Sequence, residues 1–390
     1  MSTAKPCIVG IGETRYSRRG EQAARGEWAL ACEAVSRACA DAGLNPHELD
    51  GLCSFSGDAS LPWMMQSALG MRQVRFASMV WGGGGTGACG ALAHAVAAIQ
   101  SGQANYVAVF RSMVQRDDQR YGAAGGFAEM PEMGLIAPFG MLSPPLMIAP
   151  VAQRYVHDFG LKDGDFAEVA LTCRMHAQRN PRAVMHGKPM SRGDYLNSRM
   201  IASPLRLFDC CQENDGACAL IVTSADRARD LQRGPVRVLA AAQGGDEDWG
   251  SGALGAHNMP SNEYGRGNGK RLAKNLFARA GVTPDDVDVA QIYDHFAPCV
   301  FMTLENFGFC AAGEAAEFSA NGALRFDGGR LPVNTSGGLL SESYIHGLNL
   351  VLEAVRQLRN ESSAQVRNAQ ISLVTAGLMA SPTSAAILAR

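Results

Sequence analysis

The chain has 390 residues, 47% hydrophobic and 18% charged, with a formal net charge of −2. That length suits two compact halves, and the charge excludes a general nucleic-acid binder, which needs a basic face to displace phosphate counterions. No apolar window approaches the roughly 20 residues of a membrane span, and MSTAKPCIVG lacks the order of a signal peptide, so a cytoplasmic protein is expected.

In chain order, CIVGIGETRYS is apolar until Gly12, as a buried strand entering a loop would be. EWALACEAVSRACADAGL has helical spacing and a glycine stop at Gly43. VRFASMV reads as a strand, Thr86 to Ser101 as a helix and NYVAVF as the next strand. This alternation predicts βαβ units around a mostly parallel sheet. Residues 111–200 fit the scheme poorly: a Met-, Pro- and Gly-rich run (EMPEMGLIAPFGMLSPPLMIAP) precedes helical patterns in VAQRYVHDFG and DFAEVALTCRMHAQRNP. They are expected to form an inserted cap over the site, a dimerisation arm, or both.

The second part repeats the first. ADAGLNPHELD (Ala40 to Asp50) matches ARAGVTPDDVD (Ala278 to Asp288), and the glycine loop and helix before NYVAVF have a counterpart in NTSGGLLSESYIHGLNLVLEAVRQLRNES before ISLVTAG. An internal duplication of an α/β unit is expected, with halves over 1–230 and 231–390 and a seam near RARDLQRGPVRV.

Eleven cysteines occur without a CxxC pair, and the adjacent Cys210 and Cys211 cannot supply spaced zinc ligands. Most are expected to be reduced core thiols, and no metal is expected in this chain. In the run WGGGGTGACG, the glycines before a helix suit backbone contact with an anion or oxyanion. The run lacks both the Lys-Ser/Thr ending of a phosphate-binding loop and an acidic residue placed to read a ribose.

The duplicated halves, DGACALIVTS (Asp215 to Ser224) and NTSGG before a helix resemble the thiolase superfamily, in its lipid-transfer-protein-type branch. The resemblance covers nearly the whole chain. It implies an α/β thiolase fold, layered αβαβα, with a mixed five-stranded sheet in each half. It also places the family's nucleophilic cysteine at Gly85, its first catalytic histidine at Tyr293 and its second at Tyr344, while no cysteine follows Cys310. A chain without the nucleophile forms no acyl-enzyme.

This double replacement, with YDHFAPCVFMTLENFGFC and LPVNTSGGLLSESYIHGLNLVLEAVRQLR, resembles the thiolase-like aldolases of bacterial steroid side-chain degradation. The implied reaction is retro-aldol cleavage of a β-hydroxyacyl-CoA, a 17-hydroxy steroid C22-CoA side-chain intermediate, to a ketosteroid and propionyl-CoA. Such a reaction needs a base, an acid and an enolate cradle, and no nucleophile. Tyr344 is expected as base and Tyr293 as proton donor, or the reverse, with Asp294, His295 and His346 in support; Asp294 reads equally as a loop-stabilising residue. The backbone of Gly83, Gly84, Gly85 and Gly377 is expected to hold the thioester oxygen. Tyr344 heads the stripe Leu348, Val351, Val355, Leu358 and so also reads as a core tyrosine. At the start of that helix the dipole favours an anion by about 0.3–1 kcal/mol, so a further donor, His346 or His295, is needed.

Cys89, one turn past Gly85, leaves open a thiolase or acyltransferase, and a non-catalytic acyl-CoA or lipid-binding homologue is the other alternative. Coenzyme A enters as the thioester substrate, with no cofactor permanently bound. Its phosphates could meet Arg266, Lys270, Arg271 and Lys274, or Arg111, Arg116 and Arg120; either set could equally be a solvated face. The resemblance implies a homodimeric core and a small OB-fold/zinc-ribbon partner subunit; no nucleic-acid or membrane partner is expected.

Overall fold

The computed structural model describes residues 5–82, 84–115, 133–247, 263–377 and 382–390. The first apolar segment is strand β1 (Pro6–Glu13). Helix α1 (Gly26–Ala42) buries its periodic face and stops at Gly43, at φ 70°. Strands β2 (Gly51–Phe55) and β3 (Phe76–Val80) precede helix α2 (Ala88–Gln100), and β4 (Val107–Met113) follows it. The helix expected from Thr86 begins as a 3₁₀ turn over Gly84–Gly87, because a glycine run is a poor helix former.

The insertion starts later than expected, since Arg111 lies inside β4. Its main helices are α3 (Pro144–Phe159) and α4 (Ala167–Arg179). Strands β5 (Asn214–Ser224) and β6 (Val236–Gly244), helix α5 (Lys270–Ala280), strand β7 (Val289–Gln291) and helix α6 (Ala297–Asn306) come next. The chain ends with the one-turn helix α7 (Gly338–Ser341), helix α8 (Leu348–Arg359) and strands β8 (Ile371–Ala376) and β9 (Thr383–Ala389).

The main sheet runs β7-β8-β9-β6-β1-β5-β4-β2-β3, with the short strand Ser17–Arg18 pairing β5 off this path. Its pairings repeat. In one part β2 is parallel to β3 and β4, β4 antiparallel to β5, and β5 antiparallel to β1. In the other β7 is parallel to β8, β8 antiparallel to β9, and β9 antiparallel to β6. Where β3 stands in the first, the second has a single parallel bridge, Ala290 to Val333. Pro332 accepts the bond from Ala290 N at 2.9 Å but has no N–H to extend the ladder. The expected pair of five-stranded sheets is therefore five strands and four plus a bridge, fused through the β1–β6 pairing at Cys7–Arg237 and Ile8–Val236.

The sequence repeat has a structural counterpart. Both copies end a helix on a left-handed glycine, Gly43 at φ 70° and Gly281 at φ 71°. Each then makes a proline-led 3₁₀ turn with a capping box, Asn45 with Glu48 and Thr283 with Asp286.

Alternate strand residues face opposite layers. Val374 and Leu388 join Leu92 of α2 and Val355 of α8 in a central cluster, with Phe55 and Val222 from the other sheet. Leu373 and Ile387 face Leu276 of α5, while Ile221 and Phe110 face Leu30 of α1. Helices α2 and α8 are thus the middle layer and α1 and α5 the outer ones, which is the αβαβα arrangement. Helices α3 and α4 pack beside α5 and α6, with Tyr155, Phe166 and Cys173 against Leu304 and Phe301. All eleven cysteines are free thiols.

Candidate active site

Tyr293 follows β7 at the carboxyl end of a parallel strand pair, where open α/β sheets place ligands. Its amide donates to Thr375 Oγ1 at 3.2 Å, tying it to β8. Tyr344 lies between α7 and α8, with its amide donating to Asn214 Oδ1 on β5 at 2.9 Å. The two anchors bring the rings together: Tyr293 Oη donates to Tyr344 Oη at 3.0 Å, with ring centroids 6.3 Å apart. Burial holds the Tyr293 phenol well above its ordinary range, against smaller opposing pulls from the Tyr344 hydroxyl and then the Gly85 amide. Helix α8 begins only at Leu348, behind Gly347 at φ 80°, so Tyr344 neither heads its apolar stripe nor sits in the first turn where the helix dipole would favour a phenolate.

The glycine run explains where the Tyr293 ring goes. A Cβ on Gly85 would stand 2.2 Å from Tyr293 Cε2 and Oη, so the phenol fills the space a side chain at 85 would take. On Gly347 a Cβ would meet the same ring at 2.7 Å. Gly84 is adjacent, its Cβ direction 3.6 Å from Tyr344 Oη. Gly377 abuts the same turn, with a Cβ direction 2.3 Å from Thr86 Cγ2. Gly83 lies outside the described residues.

The supporting residues divide. His295 stacks near Tyr293 with centroids 4.9 Å apart and lies 3.8 Å from Cys299 Sγ; burial pushes its imidazole down to about 4. His346 is buried 5.2 Å from the Tyr344 ring, and its Nδ1 accepts from Arg111 Nε at 3.1 Å. Burial, then Arg111, push its imidazole well below the ordinary range. Asp294 is engaged elsewhere. It accepts from Leu339 N at 2.8 Å and Leu340 N at 3.2 Å, capping α7, and burial raises its carboxyl to about 6.

Cys89 is fully buried in α2, its thiol 3.7 Å from the Val374 carbonyl and pushed up by burial, the state of an inert core cysteine. Arg111 is 1% exposed and paired with Asp58, so it cannot meet a phosphate. Arg116 and Arg120 lie outside the described residues. Lys270, Arg271 and Lys274 are exposed, but the α5 N-terminus is already capped by Asp246, which accepts from Gly269, Lys270 and Arg271 amides at 2.8–3.1 Å. Arg266 lies over the Phe159 ring at 5.8 Å.

Several residues that hold the site were not singled out from sequence. His176 donates from Nδ1 to Asn334 O at 3.1 Å and accepts the Phe326 amide at Nε2 at 3.1 Å. Asn334 brackets the backbone of Ile292, and Asn180 donates to Ser336 O at 3.0 Å. Helix α4 and its C-terminal Asn180 thereby clamp the loop that leads to Tyr344, a buttress as well as any cap. Among the described residues, no group of three or more His, Cys, Asp or Glu side chains could hold a metal ion, and no helix is long and apolar enough to cross a membrane.

Fold and site together define a thiolase-fold protein with two hydrogen-bonded phenols at the glycine turn before α2. Residues 262–390 match the family described as Thiolase C-terminal domain-like. Over 394 aligned residues, covering 100% of both chains, the protein is 42% identical to the 17-hydroxy-3-oxo-4-pregnene-20-carboxyl-CoA lyase of Mycobacterium tuberculosis. It is 41% identical to the steroid side-chain-cleaving aldolase of Thermomonospora curvata, over 98% of this chain and 97% of that one. The solved Ltp2–ChsH2(DUF35) aldolase superposes with a TM-score of 0.90 at 41% identity, covering 99% of this chain and 98% of that one. The chain belongs to the thiolase superfamily, in the lipid-transfer-protein-type branch that holds the steroid side-chain-cleaving aldolases. It is a carbon–carbon lyase of the aldolase type acting on acyl-CoA.

Proposed function

We propose that this lyase cleaves a 17-hydroxy steroid C22-CoA to a 17-ketosteroid and propionyl-CoA, using Tyr344 as base and Tyr293 as acid. The observation that carries this reading is the Tyr293–Tyr344 hydrogen bond, with the Tyr293 ring in the space a side chain at 85 would occupy. Tyr344 accepts the bond, as a base would, while a phenol held protonated by burial suits a donor.

In the reaction the Tyr344 phenolate takes the proton of the tertiary hydroxyl. The carbon–carbon bond breaks, the ring carbon becomes the ketone, and its electron pair passes into the thioester enolate. The enolate oxygen sits against the backbone amides of Gly84 and Gly377. Tyr293 then protonates the enolate carbon, and the proton on Tyr344 returns to Tyr293 along their shared bond. His295 and His346 stay neutral beside the pair; Asp294 fixes the loop geometry. Inert Cys89 gives the acyl-transfer alternative no nucleophile.

The working assembly is a homodimeric core with a small OB-fold/zinc-ribbon subunit; the solved Ltp2–ChsH2(DUF35) aldolase, which has two components, supports the second subunit. The purified protein with such a subunit, given 17-hydroxy-3-oxo-4-pregnene-20-carboxyl-CoA, yields ketosteroid and propionyl-CoA in equal amounts by mass spectrometry. Products other than this pair would refute the substrate assignment, and no change in elution on gel filtration with the subunit would refute the assembly.

A further inference from the structure

We propose that Arg111 and Asp58 are positioning residues of the tyrosine site, fixing His346 as a neutral imidazole with its proton on Nε2. The inference rests on the reading of Tyr344 as part of the reacting pair.

Arg111 is the charged residue in the otherwise uncharged strand VAVFRSM, and it is 1% exposed. Its Nη1 lies 3.2 Å from Asp58 Oδ2, with the two side chains 2% and 0% exposed. Asp58 is itself held: Oδ2 accepts from Ser112 N at 2.8 Å and Ser112 Oγ at 3.0 Å, and Oδ1 accepts from Ser60 N at 2.8 Å. The guanidinium also rests over the Phe55 ring at 5.8 Å. A buried ion pair contributes little net stability against well-packed apolar residues, so its retention calls for another use.

The use lies in the third direction of the guanidinium. Nε donates to His346 Nδ1 at 3.1 Å. A guanidinium only donates and keeps its proton, so Nδ1 must be an acceptor and the imidazole proton must sit on Nε2. Among the described residues, Arg111 from β4 is a charged group bearing on His346, with Asp58 behind it, and Tyr344 is a titratable neighbour on its own segment. The adjacent cation opposes protonation of the ring, so His346 stays a hydrogen-bond donor that does not gain charge. Its backbone sits at φ 45°, a region non-glycine residues seldom occupy, and the Arg111 bond helps hold the ring there.

The test is nitrogen NMR of the full-length protein labelled with ¹⁵N-histidine, with the His346 signal assigned by its loss in His346→Gln. In the wild type the signal shows the Nε2–H tautomer and no titration from about pH 9 to pH 5. Arg111→Met admits the Nδ1–H tautomer and lowers kcat at least about tenfold. Arg111→Lys, which keeps a cationic donor, restores the tautomer. A wild-type Nδ1–H signal, or an Arg111→Met protein with unchanged tautomer, overturns the proposal. If Arg111→Met does not fold, the wild-type tautomer decides alone. The NMR readout needs no turnover, so it separates this proposal from failure of the tyrosine reading, which would show as full activity in Tyr344→Phe.

Discussion

Gly85→Ala tests the packing logic of the site with a single methyl group. That methyl would stand 2.2 Å from Tyr293 Cε2 and Oη and 2.4 Å from Cζ, against the 3.4 Å where ordinary contact begins. Ring or loop must therefore separate by at least about 1.2 Å, and Gly347, whose Cβ would stand 2.7 Å from Cδ2 and Cε2 of the same ring edge, shows how closely the backbone already approaches there. A displacement of about 1 Å near reacting atoms costs on the order of 10²-fold in rate, while overpacking costs about 1–3 kcal/mol of stability. Steady-state turnover of the steroid acyl-CoA should fall by about 10²-fold or more in a protein that still unfolds cooperatively. Gly234→Ala, with nothing within 4 Å of its Cβ, is the control and should match the wild type. A Gly85→Ala enzyme within about twofold of the wild-type kcat would refute the claim that Tyr293 needs this space.

Cys89→Ala removes a thiol whose bond to Val374 is structural, so turnover should stay within about twofold and only stability should change. Rate loss matching that of Tyr344→Phe would count against the two-phenol reading. His176 is pushed down to about 4 by burial, from an unfolded value near 6.5. Its stabilising contribution is therefore full above pH 6.5 and is lost as pH falls through 4, up to about 3 kcal/mol. Urea unfolding across that window should show the decline, and His176→Gln should flatten it; an unchanged slope would remove His176 as the cause.

The duplication was legible because both copies use the same local devices, a left-handed glycine, a proline at the turn and a capping box, which act within a dozen residues. The tyrosine pair was legible only through the family register. Tyr344 reads as the head of an apolar stripe, and nothing local reveals that Gly347 restarts the helix behind it. Arg111 was grouped with phosphate-binding candidates, yet an arginine inside an apolar strand already signals a buried, paired charge. Its partners are Asp58 and His346, the latter 235 residues away, and spacing cannot reveal such a contact. Asp294 reads from sequence equally as a supporting residue of Tyr293 and as a loop-stabilising one; successive residues leaving a strand face opposite ways, and its carboxylate caps α7. The link from His176 to Asn334 was hidden for the same reason as that from Arg111 to His346.

The measurement closest to the central claim is kcat for Tyr293→Phe and Tyr344→Phe, beside a search for acyl label on the protein after incubation with the steroid acyl-CoA. Each substitution removes one oxygen from the 3.0 Å bond and leaves the ring packing in place. The account predicts a fall of about 10²–10⁴-fold for each, melting temperatures close to the wild type, and no label on any cysteine. Full turnover in either variant, or acyl label trapped on Cys89, would contradict it.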